Sequence, residues 1–138
     1  NNSQLIIRFQ RSYEEIFLHE RKNFIQAIAH ATGFTEDTYT GIELDLDCIQ
    51  NALSSAATPC GITTLQARQY ITFAATDVKI AYLHICEGAV QLADGRKEET
   101  TAKLISYLVT DFVKANVQDK KSHSVITKWL FNKLINII

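Results

Sequence analysis

Two stretches decide the fold: GIELDLD at residues 41–47 and KIAYLHIC at residues 79–86. The first alternates apolar and polar side chains, which is typical of a half-buried strand, and its end is acidic. The second is a nearly continuous apolar run, typical of a more deeply buried strand, and Glu87 follows it directly. The sequence therefore predicts two strands that both lead into carboxylates.

Helical patterns precede, separate and follow these strands. Predicted helices cover residues 11–32, stopped by Gly33, and residues 65–75, capped by Thr63 or Thr64. After a turn at residues 94–95, the clearest helix runs over residues 98–117, and an apolar helical tail over 124–138. The expected buried stripe of the helix at 98–117 is Leu104, Ile105, Leu108, Val109, Phe112 and Val113. A short apolar run at 5–9 is a strand or a lead-in. This order predicts an α/β fold with βαβ units and a parallel sheet.

Bulk properties restrict the function classes. The length of 138 residues suits a single domain, 1–138. The chain has 14 lysines and arginines against 15 aspartates and glutamates, so it lacks the basic character that nucleic acid binding favours. Apolar runs are too short to cross a membrane, so a soluble protein is expected. Three cysteines at wide spacing favour reduced thiols and a cytoplasmic location. The sequence starts at Asn1, contains no methionine and shows no leader pattern, which suggests a fragment or a processed chain.

The acidic strand ends are the candidate site. Parallel sheets bind ligands beyond the carboxyl ends of their strands, and residues two apart in a strand share a face. Asp45 and Asp47 are therefore expected to converge, and two hard oxygen donors suit manganese or magnesium. Glu87 joins them if the strands are neighbours. The plainer alternative is that all three are solvated acids in ordinary turns.

These residues resemble a known family. The stretch 41–47, followed by TPCGIT at 58–63, resembles the later metal motif of the ureohydrolases, the arginase, agmatinase and formiminoglutamase group. That motif is Asp-x-Asp followed by a Thr-Pro-x-Gly loop. YLHICEG at 82–88 resembles the next strand of the family, and LHICEGA at 83–89 and YLVTDF at 107–112 look nearest to formiminoglutamase. The resemblance covers about residues 39–115, so it implies the carboxy-terminal part of an arginase-like three-layer αβα domain.

The resemblance implies a role for each matching residue. Asp45 matches the aspartate that bridges two Mn²⁺ ions, and Asp47 matches the one that chelates a single ion. Glu87 matches the carboxylate that pairs with the amidinium-like head of the substrate, and Thr58 matches a threonine near that head. His84 stands where many relatives have an acid, which implies a supporting position behind the metal ligands; a buried structural histidine is the plainer alternative.

The implied reaction is hydrolysis of a carbon–nitrogen bond. In the family, a hydroxide held between two manganese ions attacks the amidine carbon, and the intermediate expels an amine. A formiminoglutamase would release glutamate and formamide, whereas an arginase would release ornithine and urea.

Departures from the family limit this reading. Gln50-Asn51 replaces an Asp-Pro pair, and the family's earlier ligands, a histidine and an Asp-x-His element, have no counterpart, since His19 and His30 lack that setting. The chain alone is therefore expected to be nearly inactive, with a missing amino-terminal segment or another chain completing the site.

Two other functions stay open. A half-domain that acts as an assembly or interaction module, with another protein or as a homo-oligomer, would use the apolar tail at 124–138. A phosphotransfer fold of the haloacid dehalogenase type also ends a strand with Asp-x-Asp. It would require a Gly-Thr or Thr turn where this chain has CIQ at 48–50.

Overall fold

The computed structural model describes the backbone of residues 14–35, 38–76 and 79–135 and, within them, the side chains of residues 16–117. The elements are a π-helical turn at Glu14–Leu18, helix α1 at Phe24–Gly33, strand β1 at Thr40–Asp45, a 3-10 turn at Leu46–Cys48, helix α2 at Thr64–Ala74, strand β2 at Ile80–Cys86 and helix α3 at Thr100–Ile135. The run at residues 5–9 lies outside the described residues.

The two strands form a parallel pair joined through α2, so the predicted α/β class and βαβ unit are confirmed. Their register places Leu44 opposite Ile85 and Asp45 opposite Cys86. The predicted second strand matches β2 in its bounds, but the expected deep burial is wrong, because none of its residues is fully buried and Tyr82 is 52% exposed. The predicted first strand is two residues too long, because the chain leaves the extended conformation after Asp45 and enters the 3-10 turn.

The hydrophobic core lies on one face of this strand pair. Alternation along β1 turns Ile42 and Leu44 inward, at 2% and 4% exposure, while Glu43 between them faces the other side. Helices α2 and α3 cover the inner face. The buried core residues from the two helices are Ala67, Ile71, Ala74, Leu104, Leu108 and Ala115. Apolar burial on this face holds the helices and strands together as one layer pair.

Helix α2 begins where its sequence directs. The Thr63 hydroxyl accepts a hydrogen bond from the Gln66 amide, and the Gln66 side chain accepts one from the Thr63 amide, which is a capping box. Farther along, Arg68 reaches Asp111 on α3 through two hydrogen bonds of 2.6 and 3.0 Å. The forked geometry fixes the two helices against each other at a partly buried position.

The first predicted helix is only partly correct. Residues 11–32 were expected to form one helix, but a π-helical turn ends at Leu18 and α1 begins only at Phe24. Glu20 has a positive φ of 49°, which a continuous helix does not allow, and the Asn23 side chain caps α1. Helix α1 ends at Gly33, as predicted.

The carboxy-terminal helices are also corrected. Residues 98–117 and 124–138 were expected to form two helices, but α3 is continuous to Ile135. The residues between them include neither glycine nor proline, so nothing in the sequence interrupts the backbone hydrogen bonds. The predicted stripe is narrower than expected, since Val109 and Val113 are 44% and 51% exposed. No helix in the described part of the chain is long and apolar enough to cross a lipid bilayer.

Candidate functional site

Three carboxylates lie at the carboxyl edge of the strand pair. Asp45 is the last residue of β1, Asp47 follows in the 3-10 turn, and Glu87 comes directly after β2. Because the strands run parallel, with Asp45 opposite Cys86, these residues share one edge of the sheet. We call Asp45, Asp47 and Glu87 the acidic rim.

Asp45 turns the chain at the end of β1. Its Oδ1 accepts a hydrogen bond of 2.8 Å from the amide of Asp47, so it caps the 3-10 turn. The expectation that the two aspartates share a face of one extended strand is therefore wrong in its geometry, since Asp47 lies beyond the strand. A short aspartate side chain commonly bonds the backbone two residues on, which explains the early turn.

Asp47 is fixed by the loop that follows. Its Oδ1 accepts a hydrogen bond of 3.3 Å from the amide of Ala56. Each aspartate of the rim thus uses one oxygen to receive a backbone N–H. These bonds orient the two carboxylates.

Glu87 has an unusual backbone conformation. Its φ is 61°, in the left-handed region, where a side chain with a Cβ costs about 1–2 kcal/mol. Its Oε2 accepts a hydrogen bond of 3.0 Å from the Ser55 hydroxyl. Both side chains are exposed, so the carboxylate is open to a ligand.

The negative charge of the acidic rim contributes to a raised pKa at two cysteine thiols. Partial burial, followed by the nearby charge of Asp45, raises the pKa of Cys48. Burial likewise raises the pKa of Cys86, and the charges of Asp45 and then Glu87 add to it. A negative potential at this edge favours a cation and disfavours a thiolate.

The loop that carries Thr58 packs against the 3-10 turn. The Thr58 hydroxyl accepts a hydrogen bond of 3.2 Å from the amide of Cys60. Two residues later, the amide of Ile62 donates to the carbonyl of Cys48 at 2.8 Å. Thr58 is thereby held beside the turn that contains Asp47. None of the three cysteines of the chain forms a disulfide.

His84 lies on the opposite face of the sheet from the core. Its Nδ1 is 2.5 Å from Oε2 of Glu43, its cross-strand neighbour, and both side chains are more than half exposed. A hydrogen bond from Tyr82, together with one from His84, lowers the pKa of Glu43. The plainer expectation of a buried histidine is wrong, because the strand alternation turns His84 outward.

The acidic rim alone does not make a metal site. Among the described side chains of residues 16–117, no group of three or more His, Cys, Asp or Glu is arranged to hold a metal ion. Mn²⁺ requires several ligands, and Asp45 and Asp47 supply two carboxylates. The described residues therefore do not fit a complete binuclear centre.

The sequence analysis missed two contacts of this edge. Ser55 bonds Glu87 across 32 residues of sequence, and Glu43 pairs with His84 across 41. The strand register would have indicated the second pair, since both residues are polar members of alternating strands. No local pattern indicates the first. Comparison of the chain with protein-family models, curated proteins and solved structures gives no match.

Proposed function

We propose that this chain is the carboxy-terminal part of a manganese-dependent ureohydrolase that cleaves a carbon–nitrogen bond of a formimino or guanidino substrate. The observation that carries the proposal is that Asp45, Asp47 and Glu87 all follow or end the strands at the same, carboxyl, edge of a parallel βαβ unit. Ligands of open α/β sheets bind at such edges. The order of the Asp-x-Asp turn, the Thr58 loop and the glutamate after the next strand supports the same family.

Each side chain has a role in this proposal. Asp45 and Asp47 contribute two carboxylates of the ligand set, and Glu87 pairs with the planar cation of the substrate, whose two N–H groups match two carboxylate oxygens. Thr58 lies beside the substrate head group. His84 bonds Glu43 and supports the β1 end only indirectly. The remaining metal ligands come from an amino-terminal segment or from another chain, within a three-layer arginase-like domain.

Manganese binding tests the proposal. Paramagnetic broadening of backbone amides by substoichiometric Mn²⁺ should centre on residues 45–47 and 87, weakly, because the ligand set is incomplete. Asp45→Asn should abolish the broadening at 45–47, whereas Asp94→Asn, at an exposed turn, should leave it unchanged. Adding the amino-terminal half of a ureohydrolase should then give hydrolysis, with formamide or urea identifying the substrate. Broadening elsewhere, insensitive to Asp45→Asn, would contradict the proposal.

An assembly module is the second candidate. Val109, Val113 and Val117, spaced four residues apart on α3, are 44–51% exposed, and they form an apolar stripe on a helix of 36 residues. Such a stripe suits a partner helix or a second copy of the chain. If Val113→Glu, at the centre of the stripe, converts an oligomer to a monomer, and Asp45→Asn leaves manganese binding unchanged, assembly is the function.

A further inference from the structure

We propose that Ser55 is a positioning residue that holds the Glu87 carboxylate for a planar amidinium cation. The inference rests on the proposed function, because it assigns Glu87 to the substrate. Its direct observation is the 3.0 Å hydrogen bond from the Ser55 hydroxyl to Oε2 of Glu87. A donor on one oxygen restricts rotation of the carboxylate about its terminal bond, and bidentate pairing depends on that plane.

The loop that carries Ser55 is anchored on both sides. The Leu53 amide donates to the hydroxyl of Thr101, a residue that is 1% exposed, at 3.1 Å. The Leu53 carbonyl accepts from the Ala89 amide at 3.1 Å, and the Ala56 amide donates to Asp47. Ser55 therefore sits between backbone groups that are already fixed. Its hydroxyl is delivered to Glu87 by a preorganised loop.

The same anchors connect the two ends of the acidic rim. Ala56 bonds Asp47 at the β1 end, and its neighbour Ser55 bonds Glu87 at the β2 end. Two consecutive loop residues thus set the positions of a proposed metal ligand and of the proposed substrate carboxylate. Orientation of this kind affects catalysis through small displacements of the reacting groups.

Ser55 makes little difference to folding, which allows a clean test. Both partners of the bond are exposed, and a surface hydrogen bond adds little net stability. Ser55→Ala should therefore remain folded, and Ser55→Thr keeps the hydroxyl. Ser106→Ala removes another exposed serine hydroxyl, on α3, and serves as the matched control.

The experiment is a titration of the labelled 138-residue chain with acetamidinium, followed by the backbone amide signals of Glu87, Gly88 and Ala89. We expect a saturable response in the parent chain and in Ser106→Ala. Ser55→Ala should weaken the affinity about five- to tenfold and reduce the preference for acetamidinium over methylammonium, which lacks the planar fork. Ser55→Thr should restore both.

The possible failures are distinguishable. If the parent chain shows no saturable response at Glu87, the substrate role of that residue is overturned, and the proposed function with it. If the parent binds acetamidinium and Ser55→Ala binds it equally well and equally selectively, only the role of Ser55 is overturned. Should Ser55→Ala fail to fold, Ser55→Cys replaces it, because a thiol is only a weak donor. The ratio of its acetamidinium affinity to that of the parent chain then decides the question in the same way.

Discussion

The two strand ends at the acidic rim are held in different ways. Beyond β1, the backbone is tied by bonds from Gln50 to Ile62 and from Ile62 back to Cys48, at 2.9 and 2.8 Å. Beyond β2, Glu87 has a left-handed φ and one side-chain bond to Ser55. The β1 end is a hydrogen-bonded double turn, whereas the β2 end starts with one strained residue and is tied to the loop by the bond from the Ala89 amide to the Leu53 carbonyl. Ligands that need fixed positions suit the first, whereas at the second the orientation of the Glu87 carboxylate depends on its bond from Ser55.

Gly61→Ala should lower the free energy of unfolding most, because it disturbs the hydrogen bonds of the β1 end. A Cβ there would lie 2.1 Å from the Cys48 carbonyl oxygen, a backbone atom that is hydrogen-bonded to Ile62. The turn must deform, at a cost of about 3 kcal/mol in the free energy of unfolding. Urea denaturation followed by circular dichroism measures it.

Gly33→Ala is the matched control for that change. A Cβ at Gly33 meets nothing within 4 Å, at the end of α1, so the substitution should cost nothing. A stabilisation of up to about 1 kcal/mol is expected from helix propensity. Equal urea midpoints for the two variants would show that the loop does not approach the Cys48 carbonyl.

Gly88→Ala should have a smaller effect at the β2 end. Its Cβ would lie 2.6 Å from Cδ1 of Leu46 and 3.1 Å from Cδ1 of Ile105, both of them ends of side chains. Side chains can rotate where a backbone carbonyl cannot, so we expect a cost of about 1–2 kcal/mol. The measurement is again the free energy of unfolding in urea.

A double-mutant cycle tests the cause of that cost. In a Leu46→Ala background the crowded methyl group is gone, so Gly88→Ala should cost about 1 kcal/mol less than in the parent chain. If Gly88→Ala costs the same free energy of unfolding in both backgrounds, Leu46 is not the obstacle, and the backbone of the β2 end shifts instead.

Much of this architecture could be predicted from local patterns. Alternation within residues 41–45 and the apolar run of β2 predicted two strands, and a cap at Thr63 or Thr64 predicted the start of α2. The length of α3 was missed because a polar stretch was interpreted as a break, although it contains neither glycine nor proline and its glutamine and lysines favour a helix about as well as leucine does.

The candidate site was predictable only in part. Strand ends place Asp45 and Glu87 at one edge, since parallel strands share direction. The turn after Asp45 depends on one side-chain bond to the backbone, which competes with strand extension and has no periodic signature. The Ser55 bond depends on the path of a loop, and loop paths are set by anchors such as Thr101 that are distant in sequence.

The smallest expected effect on stability tests the backbone strain at Glu87 alone. At Glu87, glycine tolerates the φ of 61° and alanine does not, so Glu87→Gly should be more stable to urea than Glu87→Ala by about 1 kcal/mol. At Glu43, an exposed residue within β1, the order should reverse by about 0.5–1 kcal/mol, because glycine loses more chain entropy in a strand. Both variants at each position lack the carboxylate, so the difference isolates the backbone. If alanine is the more stable residue at both positions, Glu87 carries no strain, and the two ends of the acidic rim differ only in their hydrogen bonds.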